Sequence, residues 1–286
     1  MSKPIGILYI VATPIGNVAD ISQRALETLR SVDLIAAEDT RHTINLLKTY
    51  NIVTPLTPYH DHNEVQEAPH LAAIIANGAK VALVSDAGTP LINDPGFRLV
   101  QEVKKLGVQV VPIPGACALI CALSASALPS NRFLFLGFPP RTKSQRVQLF
   151  NSIKTEPGVL IFYESGQRLF DTLKTLSAIL GANRRAVLAR ELTKVYETFI
   201  DSTLGTLMST LETDAMQIKG EHVLLVEGAT EQVLPHTENA VSVLQTLLEE
   251  LPVKQAVKLA AKLTEISRNE LYRLALEISQ SPNVSA

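Results

Sequence analysis

The sequence has few cysteines, no excess of charge of either sign and no long apolar run. Its only two cysteines, Cys117 and Cys121, lie four positions apart in an Ala-rich apolar segment. This spacing places both on one helical face, where we expect inert packing residues in a reducing compartment. The formal net charge of -2 excludes a globally basic nucleic-acid binder, so any RNA site must be a local patch.

The apolar stretches are shorter than the roughly 20 residues that a membrane helix needs. The first 17 residues end in a Pro-Gly turn without a small-residue cleavage site, which predicts a first strand instead of a signal peptide. Of the 286 residues, 46% are hydrophobic and 19% charged, the profile of a globular protein with sizeable cores. We therefore expect a cytoplasmic protein of two medium domains and a small appendage.

The first part of the chain alternates β-branched runs with helical patterns. Four runs predict buried strands, at residues 7–12, 34–37, 81–85 and 108–113. Asp20 with Gln23 predicts a capping box at the start of the first helix. Strands that alternate with helices predict a parallel sheet, which binds ligands beyond the carboxyl ends of its strands. We therefore predict a first α/β domain at residues 1–126.

The Pro-containing segment 124–131 predicts a domain boundary, and a second series of strand and helix patterns follows it. The strand-like runs of this series lie at residues 132–138, 159–163, 186–191, 197–201 and 221–228. Because long helices are missing between some of the last three runs, we predict a mixed sheet in a second α/β domain at residues 127–230.

A linker at residues 229–239 introduces a helical tail, assigned to residues 231–286. Two helical patterns in it are separated by a short turn, which predicts a helix-turn-helix, and Ser267 with Glu270 predicts a capping box. This tail has a basic stripe at helical i,i+4 spacing, formed by Lys254, Lys258 and Lys262. The small basic surplus leaves an RNA-docking module and a packing or dimer element both open.

The loops after the predicted strands hold the candidate chemistry. Residues 85–96 contain two Asp, two Gly and two Pro in twelve positions, a composition that favours function over simple connection. The Pro-Gly turns at residues 13–17 and 112–117 expose backbone amides or small side chains. Glu38, Asp39 and Arg41 follow the second run, where an ion pair or a helix cap is the structural alternative to a functional role.

A basic loop follows the first run of the second domain. Arg141, Lys143 and Arg146 occur there without an acidic residue until Glu156, which predicts either a solvated face or a phosphate-binding site. The two histidines and two acids of residues 59–64 fit no common zinc spacing, so we predict a surface turn and no metal.

Short motifs along the chain occur in a family-specific order. They are VATPIGN, AEDTR, SDAGTP, DPG, PGACA, GFPP, FYES, RELTK and GEHVLLVEG. In this order they resemble the ribosomal small-subunit RNA cytidine 2'-O-methyltransferase family of the tetrapyrrole methylase superfamily. The resemblance implies an α/β, two-domain tetrapyrrole methylase (class III methyltransferase) fold with a small helical C-terminal appendage, S-adenosylmethionine (SAM) in a cleft between the domains, and a homodimer.

The same resemblance implies a set of cofactor-binding positions. They are Thr13, Pro14, Asp86, Gly88, Thr89, Pro114, Gly115, Ala116, Cys117, Tyr163 and Arg190. SAM presents a sulfonium cation, an amino-acid end and an adenine, so its pocket needs acidic or carbonyl oxygens, backbone donors and apolar walls.

Methyl transfer to a ribose hydroxyl requires in-line alignment and removal of a proton, and no metal. The candidate catalytic residues are Glu38, Asp39, Glu191 and Lys194. Lys194 acts as a base only if burial lowers its pKa, and otherwise stabilises the developing alkoxide. The candidate substrate-binding residues are Arg41, Arg141, Lys143 and Arg146.

The leading interpretation is SAM-dependent 2'-O-methylation of a decoding-centre cytidine in 16S ribosomal RNA, within the small ribosomal subunit. A methylase of a porphyrin precursor or of a modified histidine of the diphthamide type is an alternative, as is a non-catalytic RNA-binding protein. One scaffold hosts all of these functions, so fold alone does not separate them. The porphyrin-precursor methylases have a longer glycine-rich first loop, which favours the RNA branch for this chain.

Overall fold

The computed structural model of the chain describes residues 6–213, 219–229, 235–264 and 266–280. These form two compact units, one of Met1–Lys154 with Gly158–Glu227, and one of Thr155–Pro157 with Gly228–Ala286. Both sheets belong to the first unit. No helix in the described ranges is long and apolar enough to cross a membrane.

The first sheet is parallel throughout, with the strand order β3-β2-β4-β1-β5. Its strands are Ile7–Val11 (β1), Leu34–Ala37 (β2), Leu56–Pro58 (β3), Lys80–Val84 (β4) and Gln109–Ile113 (β5). The parallel sheet and four of the predicted strands are confirmed. Sequence reasoning missed β3, a three-residue edge strand that ends in proline, because so short a run carries little periodicity.

Helices cover both faces of this sheet. They are Gln23–Ser31 (α1), Thr40–Thr49 (α2), Glu64–Ala76 (α3) and Phe97–Lys105 (α4). Side chains alternate between faces along a strand, so Leu83 packs with α3 and α4 while Ala82 and Val84 pack with α1 and α2. The predicted Asp20 capping box is wrong. Ser22 caps α1 by accepting a hydrogen bond from the backbone N–H of Ala25 at 3.2 Å.

The second sheet is mixed, with the order β6-β7-β10-β8-β9. Its strands are Phe133–Phe135 (β6), Val159–Ser165 (β7), Arg185–Arg190 (β8), Thr198–Thr203 (β9) and Glu221–Val226 (β10). Only β6 and β7 are parallel, and the other pairs are antiparallel. The mixed sheet is therefore confirmed.

Four helices cover the second sheet. They are Ala118–Ala125 (α5), Lys143–Ser152 (α6), Gly166–Leu180 (α7) and Leu204–Thr213 (α8). The last three share one apolar core with the sheet, while α5 packs on the opposite face through Leu119 and Leu123. Although α5 follows the first sheet in sequence, its apolar face contacts the second. The division into domains at residue 126 stays a prediction.

The second unit contains three helices, Pro235–Glu250 (α9), Val253–Thr264 (α10) and Arg268–Gln280 (α11). A small core of Leu244, Ala260 and Leu271 joins them. The backbone N–H of Glu270 donates to the hydroxyl of Ser267 at 3.3 Å, so Ser267 caps α11 as predicted. The linker predicted at 229–239 is partly wrong, because α9 begins at Pro235, while residues 230–234 lie outside the described residues.

Candidate functional site

A cavity of about 350 Å³ lies within the first unit, where the carboxyl ends of β2 and β4 and the start of α5 face the second sheet. Because β1, β2, β4 and β5 are parallel, their following loops meet at this one edge. The far wall comes from the end of β7 and the start of β10, which pair in register at Tyr163–Val223, Glu164–His222 and Ser165–Glu221.

Six residues predicted for the site line this cavity. They are Glu38, Asp86, Gly88, Thr89, Cys117 and Tyr163. The remaining lining residues were not among the predicted site residues. They are Ile15, Ala87, Ile92, Asn93, Asp94, Ala118, Phe138, Glu164, Ser165, Leu192, Glu221, His222 and Val223. The composition of residues 85–96 pointed to the loop of Asn93 and Asp94, but only the fold shows which of its side chains face inward.

Two acidic side chains tie the ends of β2 and β4 together. The backbone N–H of Asp39 donates to Oδ1 of Asp86 at 3.0 Å, and the N–H of Asp86 donates to Oε2 of Glu38 at 3.3 Å. Burial raises the pKa of Glu38; the hydrogen bond from the Asp86 N–H opposes this rise, and the negative charge of Asp86 adds to it. These contacts fix two carboxyl groups at the cavity surface.

Asp94 is a third acid on the same surface. Its pKa is raised to about 6, mainly by burial and in addition by the nearby charges of Glu38 and Asp86, although an interaction with Ser85 opposes the shift. Three acids converging on one cavity form a strongly negative surface, which attracts a cationic ligand.

Thr13 holds the glycine loop from behind the cavity. Its N–H donates to the carbonyl of Gly88 at 2.8 Å, and the N–H of Gly88 donates back to Thr13 at 3.1 Å. Gly88 has φ +86°, and a Cβ there would lie 3.3 Å from Cγ2 of Ile15. Neither Thr13 nor Pro14 is among the lining residues, so Thr13 supports the loop and does not line the cavity.

The turn before α5 is anchored in a similar way. The hydroxyl of Thr89 donates to the carbonyl of Ala116 at 3.0 Å. A Cβ on Gly115 would lie 2.8 Å from Cβ of Ala12, so glycine permits close packing against the end of β1. Pro114, Gly115 and Ala116 themselves do not line the cavity. This turn places Cys117 and Ala118 on its wall.

An aromatic wall faces the acids. The hydroxyl oxygen of Tyr163 accepts a hydrogen bond from the N–H of Leu119 at 3.2 Å, and burial raises the pKa of Tyr163. Its ring contacts Phe135 and Phe138 edge-on, with centroid distances of 4.8 and 5.8 Å. Next to it, the buried Glu164 accepts from the hydroxyl of Thr172 at 2.6 Å.

Glu191 and Lys194 are paired with each other outside the cavity lining. Nζ of Lys194 donates to Glu191 and to Glu221, each at 2.9 Å. Burial lowers the pKa of Lys194, but these two carboxylates outweigh burial and raise it. Lys194 acts as a base only if burial lowers its pKa, and because the pKa is raised instead, that condition is not met. Arg190 is also absent from the lining, and its Nε donates to the carbonyl of Lys219 at 2.6 Å.

The predicted cations divide into exposed and buried groups. Arg41 is 89% exposed and pairs with Asp39 at 2.8 Å, which holds the pKa of Asp39 far below its usual range. Arg141 and Lys143 are exposed. Arg146 is only 5% exposed, so its prediction as a phosphate ligand is wrong.

Arg146 instead supports the backbone of the basic loop. Its Nη1 donates to the carbonyls of Pro140 and Arg141 at 3.4 and 3.3 Å, and its Nε donates to the hydroxyl of Thr175 at 3.5 Å. A buried guanidinium needs such acceptors to offset the loss of hydration. No local pattern indicates this burial, because Arg146 follows two residues of the same charge on an otherwise polar segment.

Solved structures share the fold of the first unit. The chain superimposes on uroporphyrin-III-C-methyltransferase from Thermus thermophilus with a TM-score of 0.53 at 17% identity, over 78% of this chain and 94% of the other. It superimposes on a diphthine synthase with a TM-score of 0.58 at 17% identity, over 78% and 90%. The sequence profile of the tetrapyrrole (corrin/porphyrin) methylases matches residues 7–208. The fold and its cavity therefore define a tetrapyrrole-methylase-type methyltransferase.

Curated relatives narrow this class. The chain is 52% identical over 274 residues to ribosomal RNA small subunit methyltransferase I of Escherichia coli O157:H7, covering 95% of each protein. It is 49% identical to the protein of that name from Pseudomonas aeruginosa, covering 95% of this chain and 97% of the relative. The profile of the RsmI C-terminal helix-turn-helix domain matches residues 235–279, which confirms the predicted motif. The chain belongs to the ribosomal RNA small subunit methyltransferase I family.

Proposed function

We propose that this chain transfers a methyl group from SAM to the 2'-oxygen of a decoding-centre cytidine in 16S ribosomal RNA. The acceptor class follows the curated relatives, whose names specify small-subunit ribosomal RNA. The nucleotide and the oxygen follow from the resemblance of the motifs to the cytidine 2'-O-methyltransferases. The observation that carries the proposal is a cavity at the carboxyl ends of the parallel strands whose lining combines several acids with apolar and aromatic side chains.

The cavity has the donor set that SAM requires. Its volume of about 350 Å³ falls within the range of small-molecule sites. Glu38, Asp86 and Asp94 complement the positive sulfonium and ammonium groups, while Ile92 and Leu192 offer apolar surface to the adenine. The positive φ at Gly88 brings backbone close to the ligand space. When bound, SAM supplies an electrophilic methyl group.

Glu38 is the proton acceptor that this geometry favours. Of the four predicted catalytic residues, it alone lines the cavity. Burial raises its pKa, which makes its carboxylate a stronger base than an exposed one. With SAM bound, the ribose hydroxyl proton would pass to that carboxylate as the hydroxyl oxygen takes the methyl group, the methyl carbon–sulfur bond breaks and the neutral thioether S-adenosylhomocysteine leaves. Asp39 is excluded from this role because Arg41 stabilises its charged form.

The proposed partners lie outside the cavity. The exposed Arg41, Arg141 and Lys143 bind phosphates of 16S ribosomal RNA in the assembled small subunit. The helix-turn-helix either binds RNA through the exposed Lys254, Lys258 and Lys262 or serves in packing. We also propose that the protein acts in the cytoplasm as a homodimer.

A reconstituted assay tests the activity. Small subunits from cells that lack this protein are incubated with the purified chain and SAM carrying a labelled methyl group, and mass spectrometry of the RNA locates the label. We expect one methyl group on the ribose of one cytidine, and little transfer by Glu38→Gln. A label on a base, on a protein, or only on an added porphyrin precursor would refute the proposed function.

A further inference from the structure

The segment of residues 137–143 presents an aromatic ring and two cations in succession at the edge of the cavity. Phe138 lines the cavity and is 47% exposed, whereas its neighbours Gly137 and Pro139 are buried. Arg141 and Lys143 follow and are exposed. Single exposed apolar side chains are common, but Phe138 lines the cavity, so its exposed surface lies where a ligand that enters the cavity can cover it.

We propose that Phe138 is a substrate-binding residue whose exposed surface stacks on the base of the target nucleotide, while Arg141 and Lys143 bind the flanking phosphates. This inference rests on the proposed function, since it names how the RNA enters the same site.

The backbone around Phe138 is held in place. The carbonyl of Gly137 accepts a hydrogen bond from the N–H of Tyr163 at 3.0 Å. Gly137 has φ +60°, and a Cβ there would lie 2.4 Å from Oδ1 of Asn93, so the turn requires glycine. Beyond the ring, Arg168 donates to the carbonyl of Pro139.

The cations that follow the ring are supported in the same way. The buried Arg146 donates to the carbonyls of Pro140 and Arg141, and prolines at 139 and 140 fix two φ angles. A platform ordered before binding loses little conformational entropy when its ligand arrives. The segment is therefore suited to position a substrate.

The ring of Phe138 contacts Tyr163 while nearly half of the residue stays exposed. The edge contact with Tyr163, at a 64° interplanar angle, orients the ring of Phe138. Unpaired nucleobases of single-stranded RNA stack on such aromatic surfaces. Arg141 is three positions after Phe138 in the sequence, a span of at most roughly 11 Å of chain. The ring and the cations thus reach the same short stretch of RNA.

Variants of Phe138 separate stacking from simple apolar packing. Phe138→Ala removes the ring, Phe138→Leu keeps an apolar side chain without a π surface, and Phe138→Tyr keeps the ring. Methyl transfer is measured against the concentration of unmodified small subunits at saturating SAM. Because base stacking changes binding by about tenfold or more on alanine substitution, we expect the KM for subunits to rise about tenfold for the Ala and Leu variants and to stay near wild type for Tyr.

Two controls identify the cause. Because Phe138 lines the SAM cavity, the decisive comparison is between the Leu and Tyr variants: calorimetry should give SAM affinities for these two within about twofold of each other, and melting temperatures should be unchanged because the ring is half-exposed. Equal KM values for Leu and wild type would overturn stacking, as would a parallel loss of SAM affinity or a change of molar mass in light scattering. If wild type itself transfers no methyl group to the subunits, the proposed function fails and this inference with it. If wild type transfers the methyl group and all three variants have the wild-type KM for subunits, only the stacking role of Phe138 is refuted.

Discussion

Replacing Arg141 and Lys143 together by alanine tests the electrostatic contact with RNA. Both side chains are exposed, and neither has an ion pair among the described residues. Arg146 is left intact, because its burial makes it part of the loop support. The double variant should therefore fold normally and lose only surface charge.

The magnitude follows from counterion release. Each phosphate contact contributes about 0.7 to the slope of log affinity against log salt for single strands, so two contacts contribute about 1.4. A fourfold rise in salt then narrows the affinity gap between wild type and the double variant by about sevenfold. Binding to small subunits is measured by filter retention over a salt series, with SAM affinity measured in parallel and expected to be unchanged.

A matched control removes equal charge at the far edge of the sheet. Lys104 and Lys105 end α4, which leads to the amino end of β5, opposite the cavity. Lys105 pairs with Glu102 on the surface, a contact of about 0–1 kcal/mol. Lys104→Ala with Lys105→Ala should keep the wild-type slope. The phosphate contact would be refuted if wild type and the Arg141/Lys143 variant had equal slopes of log affinity against log salt. It would also be refuted if the Lys104/Lys105 control lost as much of that slope as the Arg141/Lys143 variant.

Three further perturbations address the cavity and its support. Asp86→Asn removes a charge but keeps an acceptor for the Asp39 N–H, so calorimetry should show SAM affinity about tenfold weaker with a similar melting temperature; a fall in melting temperature alone would indicate a structural role. Asp94 has a pKa of about 6 in the folded chain against an ordinary 3.8, so the folded state keeps a proton that the unfolded chain loses between these values. In urea unfolding, the free energy of unfolding of wild type should therefore fall relative to that of Asp94→Asn as pH rises from about 4 to 6. Parallel plots of this free energy against pH for the two proteins would contradict the argument. Arg146→Ala removes a buried side chain together with the hydrogen bonds that it donates to Pro140, Arg141 and Thr175, so the free energy of unfolding should fall by about 1–3 kcal/mol; unchanged stability would show that water replaces the guanidinium.

The elements near the cavity were predictable where local sequence determines them. The run of β4 is apolar and β-branched because both faces of a central parallel strand are covered, and its carboxyl end leads directly to Asp86. Residues 85–96 were correctly singled out because a dense set of Asp, Gly and Pro is unusual in a plain connection. Both inferences need only neighbours in sequence.

The remaining site residues depend on contacts distant in sequence. Glu164 and His222 face each other because β7 and β10 pair in a particular register, which no local pattern encodes. The raised pKa of Lys194 depends on Glu221, 27 residues away. Arg146 was misassigned for the same reason, since its burial is created by the packing of α6 on α7.

The distribution of charge then limits how RNA approaches the site. The cavity lining includes Glu38, Asp86, Asp94, Glu164 and Glu221, and no lysine or arginine is among the described residues that form it. Such a surface attracts a cationic cofactor and repels phosphates and the carboxylates of a porphyrin precursor. On the proposed function, the target ribose therefore reaches Glu38 while its flanking phosphates stay at the edge of the cavity, where the exposed cations lie. A ribose positioned in this way brings its base to the edge of the cavity, where the half-exposed ring of Phe138 has the binding role proposed above.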